Sequence, residues 1–253
     1  MDDDDLSDAQ WERIEGFVPG GRKGRRGPRS NGRRFVNALI WMARSGGRWR
    51  DLPACFGPFQ TVKRRYYRWI EMGVLDRVFE ALAAEADLDW VAIDSTSIRA
   101  QAQAAGAARK KGGPEAQGLG RSRGGLGTKI HACVDALGLP IRLIFTPGNR
   151  GDVIYAAALV DGLKPAAVLA DKAYDADHFH DTLRKLKAKA VIPPRPERLR
   201  PHPCDWRLYK ERNGVERMFS RLKQFRRVAT RYDKLLSHFR GFVLIASIVL
   251  WLR

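Results

Sequence analysis

The chain has 253 residues, 44% of them hydrophobic. That suits one large domain or two modest ones and excludes a chain disordered throughout. Lysine and arginine number 46 against 28 aspartates and glutamates, a net charge of +18. An excess of that size points to a polyanionic partner, nucleic acid first and an anionic membrane surface second. Three scattered cysteines, Cys55, Cys133 and Cys204, form no CxxC pair and exclude a zinc ribbon or a disulfide scaffold. The longest apolar run, Phe242 to Leu252, covers 11 residues. A spanning helix needs about 20, so a buried helix and no membrane partner are expected. The acidic start, Met1 to Asp5, carries no apolar stretch, so no secretory signal and a cytoplasmic location are expected.

In chain order, Leu6-Ser7-Asp8 marks a helix start with Ser7 or Asp8 as its cap. Residues 20–34 are rich in Gly and Arg, include Arg25 and Arg26, and carry no acid. They read either as a solvated loop or as an arm lying on phosphate. Residues 33–45 have a helical period through Phe35, Leu39 and Met42. After turn signals at 49–58, residues 60–70 form a basic, aromatic helix with Lys63, Arg64 and Arg65, and Val74 to Ala86 forms another. Helix, short turn, basic helix is a helix-turn-helix pattern, with residues 60–68 expected on DNA. A packed bundle helix with exposed arginines is the plainer alternative.

The character changes after residue 87. Leu88 to Ile93 is an apolar strand ending at Asp94. Residues 99–127, with Arg109, Lys110, Lys111, Arg121 and Arg123, read as a long mobile basic loop. Thr128 to Asp135 and Leu139 to Thr146 form a hairpin. A helix over 152–163 follows, then a strand at Ala166 to Ala170 that ends at Asp171. The remaining pattern is a helix over 175–188, a strand at 190–192, a Pro/Arg-rich link over 193–203, and helices over 205–224 and 235–252. This order predicts a mixed α/β sheet covered by helices. Two regions are expected: a helical DNA-binding domain over 1–86 and a catalytic domain over 87–253.

Asp94 and Asp171 each close an apolar strand, where sites of open α/β sheets lie, although a turn or cap role is the plainer reading. A third carboxylate comes from the helix over 205–224. At about 100° per residue, Tyr209, Arg212, Glu216 and Lys223 share one stripe beside the apolar stripe of Leu208, Val215, Phe219 and Leu222. Glu216 there either pairs with a cation or holds a metal; a solvated row of charges is the alternative. Three such carboxylates suit hard divalent ions, which stabilise in-line phosphoryl displacement.

These residues resemble a family. Tyr209-x2-Arg212-x3-Glu216-x6-Lys223 resembles the signature of bacterial insertion-sequence transposases with a DDE triad. Asp171-Lys172-Ala173-Tyr174 is similar to the element around their second aspartate, and Ile93-Asp94-Ser95-Thr96 to the strand with their first. Leu6 to Trp11 and Trp49 to Pro53 resemble the leading domain of the insertion-sequence-five family. The resemblance implies a ribonuclease-H-like fold and a triad of Asp94, Asp171 and Glu216 that binds two Mg²⁺ ions, with Mn²⁺ as a substitute. It implies double-stranded DNA as partner, at terminal inverted repeats and at a target, cut and joined within a homodimer or larger synaptic oligomer. Tyr209, Arg212 and Lys223 would touch the DNA end. The rival reading is a non-catalytic DNA-binding repressor.

Among lesser signals, Gly120 to Gly124 matches G-x-S-x-G but lacks the strand-turn-helix setting of a nucleophile elbow. His178 and His180 read as surface residues, with metal ligation the alternative, and His131 as a core residue, with a site-lining role the alternative. Asp152 and Asp175, just after strand ends, read as extra site carboxylates or, more simply, as helix N-caps.

Overall fold

The computed structural model describes residues 5–19, 31–105, 113–122 and 124–253. Arg25, Arg26, Arg109, Lys110, Lys111 and Arg123 lie outside the described residues.

The amino-terminal helices are α1 (Asp8–Glu15), α2 (Gly32–Ser45), α3 (Phe59–Glu71) and α4 (Val74–Ala83). Ser7 caps α1 in a reciprocal capping box with Gln10. Gly46, at φ 65°, closes α2 in the left-handed conformation that glycine adopts without a Cβ penalty. The connection from α2 to α3 is not the short turn expected. It runs through residues 46–58 and contains two 3-10 turns, Trp49–Asp51 and Ala54–Phe56. Pro53 and Pro58 break any continuous helix there.

The remaining elements are β1 (Trp90–Ala100), α5 (Gly113–Ala116), β2 (Gly120–Ser122), β3 (Gly125–Val134), β4 (Pro140–Pro147), α6 (Ala156–Val160), β5 (Ala167–Leu169), α7 (Asp177–Lys185), β6 (Lys189–Val191), α8 (Trp206–Tyr209), α9 (Asn213–Lys223), α10 (Arg226–Ala229), β7 (Thr230–Arg231) and α11 (Leu236–Leu252). Strand β3 pairs antiparallel with both β1 and β4. Strand β1 pairs parallel with β5, and β5 with β6. Short β2 and β7 extend the ladder beside β3 and β1. Three antiparallel strands followed by two parallel ones, covered by helices, form the ribonuclease-H-like mixed sheet.

Several expected boundaries shift. Strand β1 does not end at Asp94. It continues to Ala100, paired with β3 from Ala92–Val134 through Arg99–Gly127. The apolar run stops earlier than the strand because the far half of β1 is only partly buried. Part of the expected 99–127 loop is regular: it holds a 3-10 turn at Ala102–Ala105, α5 and β2. The helix expected over 152–163 is a 3-10 turn, Val153–Tyr155, followed by the short α6.

Alternate residues of each strand face opposite sides of the sheet. Val91, Ile93, Val168 and Ala170 pack with Leu159 of α6 and Phe179 and Leu183 of α7. Ala92, Ala132, Val134 and Leu169 share a second core with Val215, Met218 and Leu222 of α9, with α11, and with α2 to α4. Helix α11 is apolar all round and buried from Phe239 onward apart from Arg240. Among the described residues, no helix is long and apolar enough to cross a membrane.

Buried aromatics join α11 to the first helices. Phe242 lies 4.7 Å from the Tyr66 ring and 6.0 Å from that of Trp49, and the Arg227 guanidinium sits 4.5 Å over its face. The Tyr66 hydroxyl donates to the His238 carbonyl at 2.6 Å. Truncating Phe242, which is fully buried, leaves a cavity among these rings. Phe242→Ala is expected to cost about 3–5 kcal/mol in guanidinium unfolding; a loss below about 1 kcal/mol would contradict this packing.

Candidate active site

The parallel register of β1 and β5 positions the first two carboxylates. Ala92 stands opposite Leu169. Asp94 and Asp171 each lie two residues further on, so they reach the same level and the side of the sheet that α9 covers. Asp171 caps the 3-10 turn Lys172–Tyr174, its Oδ1 accepting from the Ala173 N–H at 2.9 Å.

The third carboxylate comes from a helix that is broken rather than continuous. Asp205 caps α8 by accepting from the Arg207 and Leu208 N–H groups. Residues Lys210–Arg212 tighten into a 3-10 turn before α9 begins at Asn213. A 3-10 turn advances about 120° per residue, so the single-helix arithmetic does not carry from Tyr209 to Glu216. Contacts restore the grouping. The Arg212 guanidinium lies 5.6 Å from the Tyr209 ring centre, donates to Asp94 Oδ2 at 3.1 Å, and pairs with Glu216 Oε1 one turn along. Val215, Phe219 and Leu222 are buried as expected; Leu208 is half-buried.

Asp94 is half-buried, and burial pushes its carboxyl above the usual range. The Ser95 N–H and Arg212 pull it back, while Asp171 and Glu216 add repulsion that raises it. The three carboxylates are thus close enough for Asp94 to feel both others. Among the described residues no three His, Cys, Asp or Glu side chains are gathered as a ready metal cluster. Arg212 instead supplies the positive charge between Asp94 and Glu216. The donor set itself, three carboxylates with only oxygen ligands, fits a hard divalent cation. Lys223 is exposed in the last turn of α9.

On α3, Thr61, Arg64 and Arg68 are exposed. Lys63 lies 5.7 Å from the Tyr67 ring centre. Arg65 is drawn into the fold, 4.2 Å over Phe35 and 5.3 Å over Trp69, and burial lowers its pKa.

Neither lesser aspartate makes a side-chain cap. Asp152 Oδ1 accepts from the Ser95 hydroxyl at 2.6 Å and from Lys129 Nζ at 2.9 Å. Asp175 is buried and accepts from His180 Nε2 at 2.9 Å and from the Arg195 N–H at 2.8 Å. His180 is therefore buried rather than on the surface, and its ring lies 3.9 Å from that of His202. Residues so far apart in sequence carry no local signal of these contacts. Tyr174 is buried with its hydroxyl unpaired among the described residues; burial, then Asp152, Asp94 and Asp171, push its pKa up.

The family model described as "Transposase DDE domain" matches residues 85–252, and one described as "Putative transposase of IS4/5 family" matches residues 6–79. The chain belongs to the DDE transposase family. A protein of Sinorhizobium fredii, y4sN, is 68% identical over 113 residues, 45% of this chain and 90% of that protein. A Brucella ovis protein named "Putative transposase for insertion sequence element IS6501" is 49% identical over 128 residues, 50% of this chain and 98% of that relative. A Burkholderia cepacia protein with the corresponding name for element IS402 is 31% identical over 120 residues, 43% of this chain and 54% of its own length. This transposase is a DNA-processing enzyme of the nuclease and transferase class, and the repressor reading is not favoured.

His131 behaves as the core residue expected. It is fully buried, its Nε2 lies 2.9 Å from the Thr146 hydroxyl, and burial lowers its pKa to about 4 against 6.5 for the free side chain. Asp152 raises it and Lys129 lowers it, both less than burial does. The unfolded chain therefore takes up this proton before the folded one, and stability falls as pH drops from about 6.5 to about 4. His131→Gln is expected to flatten that part of the unfolding free-energy profile. An unchanged slope would contradict a neutral buried His131.

Proposed function

We propose that this transposase binds the terminal inverted repeats of its own element, cleaves the strand at each end, and joins the freed 3′ ends to target DNA. The observation that supports this reading is Arg212 bridging Asp94 and Glu216, with Asp171 following the strand that pairs in register beside Asp94. The three carboxylates would hold Mg²⁺, as two ions, with Mn²⁺ able to replace it. Metal held there would supply charge to polarise a phosphoryl oxygen and to lower the pKa of a water.

The protein groups divide the remaining work. Arg212, a planar fork suited to phosphate, is proposed to release the carboxylates and grip the DNA backbone when metal and DNA bind. Tyr209 backs its guanidinium, and exposed Lys223 reaches a neighbouring phosphate. The helical region over 1–86 is proposed as the end-binding domain, with Lys63, Arg64 and Arg65 of α3 and with Arg25 and Arg26 preceding α2. Arg64 is the exposed member on α3, whereas Arg65 supports the helix by packing. The domain over 87–253 carries the chemistry. Joining two ends to one target calls for a homodimer or larger synaptic assembly, acting in the bacterial cytoplasm at the nucleoid.

The test is a nicking and strand-transfer assay on a plasmid carrying the gene's own flanking DNA. Asp94→Ala, Asp171→Ala and Glu216→Ala are each expected to lower Mg²⁺-dependent cleavage by at least a thousandfold, while end binding in chelator stays within about threefold. Cleavage retained in all three variants would overturn the triad. Cleavage without joined product would reduce the reading to a nuclease.

A further inference from the structure

The turn that carries Asp171 is short, and half-exposed Asp171 is followed by the exposed Lys172 and Ala173. Something must hold it, because a carboxylate at the end of a three-residue strand has little sheet around it. Much of that hold comes from the Pro/Arg-rich link, residues 193–203.

The contacts form a closed circuit. Arg195 spreads its guanidinium across the turn: Nε donates to the Lys172 carbonyl at 3.2 Å and Nη2 to the Ala173 carbonyl at 2.8 Å. The Arg195 backbone N–H donates to Asp175 Oδ2 at 2.8 Å. Arg198 Nε donates to the same oxygen at 2.9 Å and its Nη1 to Asp177 Oδ1 at 2.6 Å. His180 of α7 bonds the other Asp175 oxygen. The link folds back on itself, Arg198 N–H to Arg195 carbonyl at 3.1 Å. Inside the turn, the Ala173 N–H holds Asp171 Oδ1 and the Tyr174 N–H bonds the Asp171 carbonyl.

The Asp175 side chain is fully buried. Burial alone would raise its pKa, but the Arg195 N–H, His180 and Arg198 together hold it below the usual carboxylate range. A buried charge with this many donors is costly to form and rigid once formed. Arg195 therefore closes a clasp whose anchor is Asp175 and whose grip is the two carbonyls next to Asp171.

We propose that Arg195 and Asp175 are positioning residues that fix the Asp171 carboxylate for metal binding from outside the ligand set. This rests on the proposed role of Asp171 as a metal ligand. Outer groups that orient a ligand typically contribute tenfold or more to metal affinity. Two hydrogen bonds from one planar fork orient a turn in a way that a lysine ammonium cannot reproduce.

The test uses the full chain with a terminal-repeat duplex and Mn²⁺ as probe, free Mn²⁺ being read by electron paramagnetic resonance. Arg195 is exposed, so Arg195→Ala leaves the core intact. It is expected to weaken Mn²⁺ binding about tenfold, to speed hydrogen exchange at the Ala173 and Tyr174 amides, and to leave duplex affinity in chelator within about twofold. Arg195→Lys should restore neither the Mn²⁺ affinity nor the slow exchange that Arg195→Ala loses, because its ammonium cannot span both carbonyls. Unchanged Mn²⁺ affinity and exchange in Arg195→Ala, with binding lost in Asp171→Ala, would overturn the clasp alone. A fall in duplex affinity in chelator with unchanged exchange would make Arg195 a phosphate contact and also overturn it. Unchanged Mn²⁺ binding in Asp171→Ala would overturn the ligand reading, and the clasp with it.

Discussion

The parallel pairing of β1 with β5 is the constraint on which the site depends. Side chains alternate along a strand, so a slip of one residue would send Asp94 and Asp171 to opposite sides of the sheet. The register is held because both faces are buried: Val91, Ile93, Val168 and Ala170 on one side, and Ala92 and Leu169 on the other. A slip would cost both cores at once. The same packing seats α9, whose Val215, Met218 and Leu222 share the core of Ala92 and Leu169. Glu216 then projects from the exposed side of α9.

Charge organises what packing leaves open. Close carboxylates repel, and burial raises the cost for Asp94. Arg212 relieves that cost within the protein, reaching Asp94 and Glu216 together. In the proposed site Arg212 would give up these two carboxylates to an entering cation. Elsewhere the surplus of arginine serves the fold. Arg231 is fully buried, donates to the Gln117, Asp233 and Lys234 carbonyls, and has its pKa lowered to about 10 by burial. Arg65 and Arg227 lie over aromatic rings. A net charge of +18 therefore overstates the cationic surface free to meet DNA.

Much of this was legible in the sequence. Helical period located α2, a basic aromatic run located α3 and an unbroken apolar run α11, and the Tyr-Arg-Glu-Lys spacing led to Glu216 and its partner Arg212. The apolar strands before Asp94 and Asp171 placed both carboxylates beside the sheet. Other features depend on tertiary contact. Strand β1 continues past Asp94 because β3 pairs with it, and pairing leaves no mark in a polar stretch. The 3-10 turn after Tyr209 interrupts a stretch that a uniform helical period fits, so the pattern conceals it. Asp175 looks like an N-cap until Arg195 and Arg198, twenty and more residues later, fold back onto it. Arg65 and Arg64 are alike as residue types, but Arg65 packs over Phe35 of α2 and Trp69 of its own helix, whereas Arg64 is exposed.

In the proposed enzyme one cation site joins three distant segments of the chain. Iron-directed backbone cleavage tests it directly, with Fe²⁺ replacing Mg²⁺ in the DNA-bound protein and ascorbate and peroxide generating radicals at the metal. Cuts near residues 94, 171 and 216, all suppressed by excess Mg²⁺, are the predicted result. Cuts confined to other segments, or absent from any one of these three, would contradict the account.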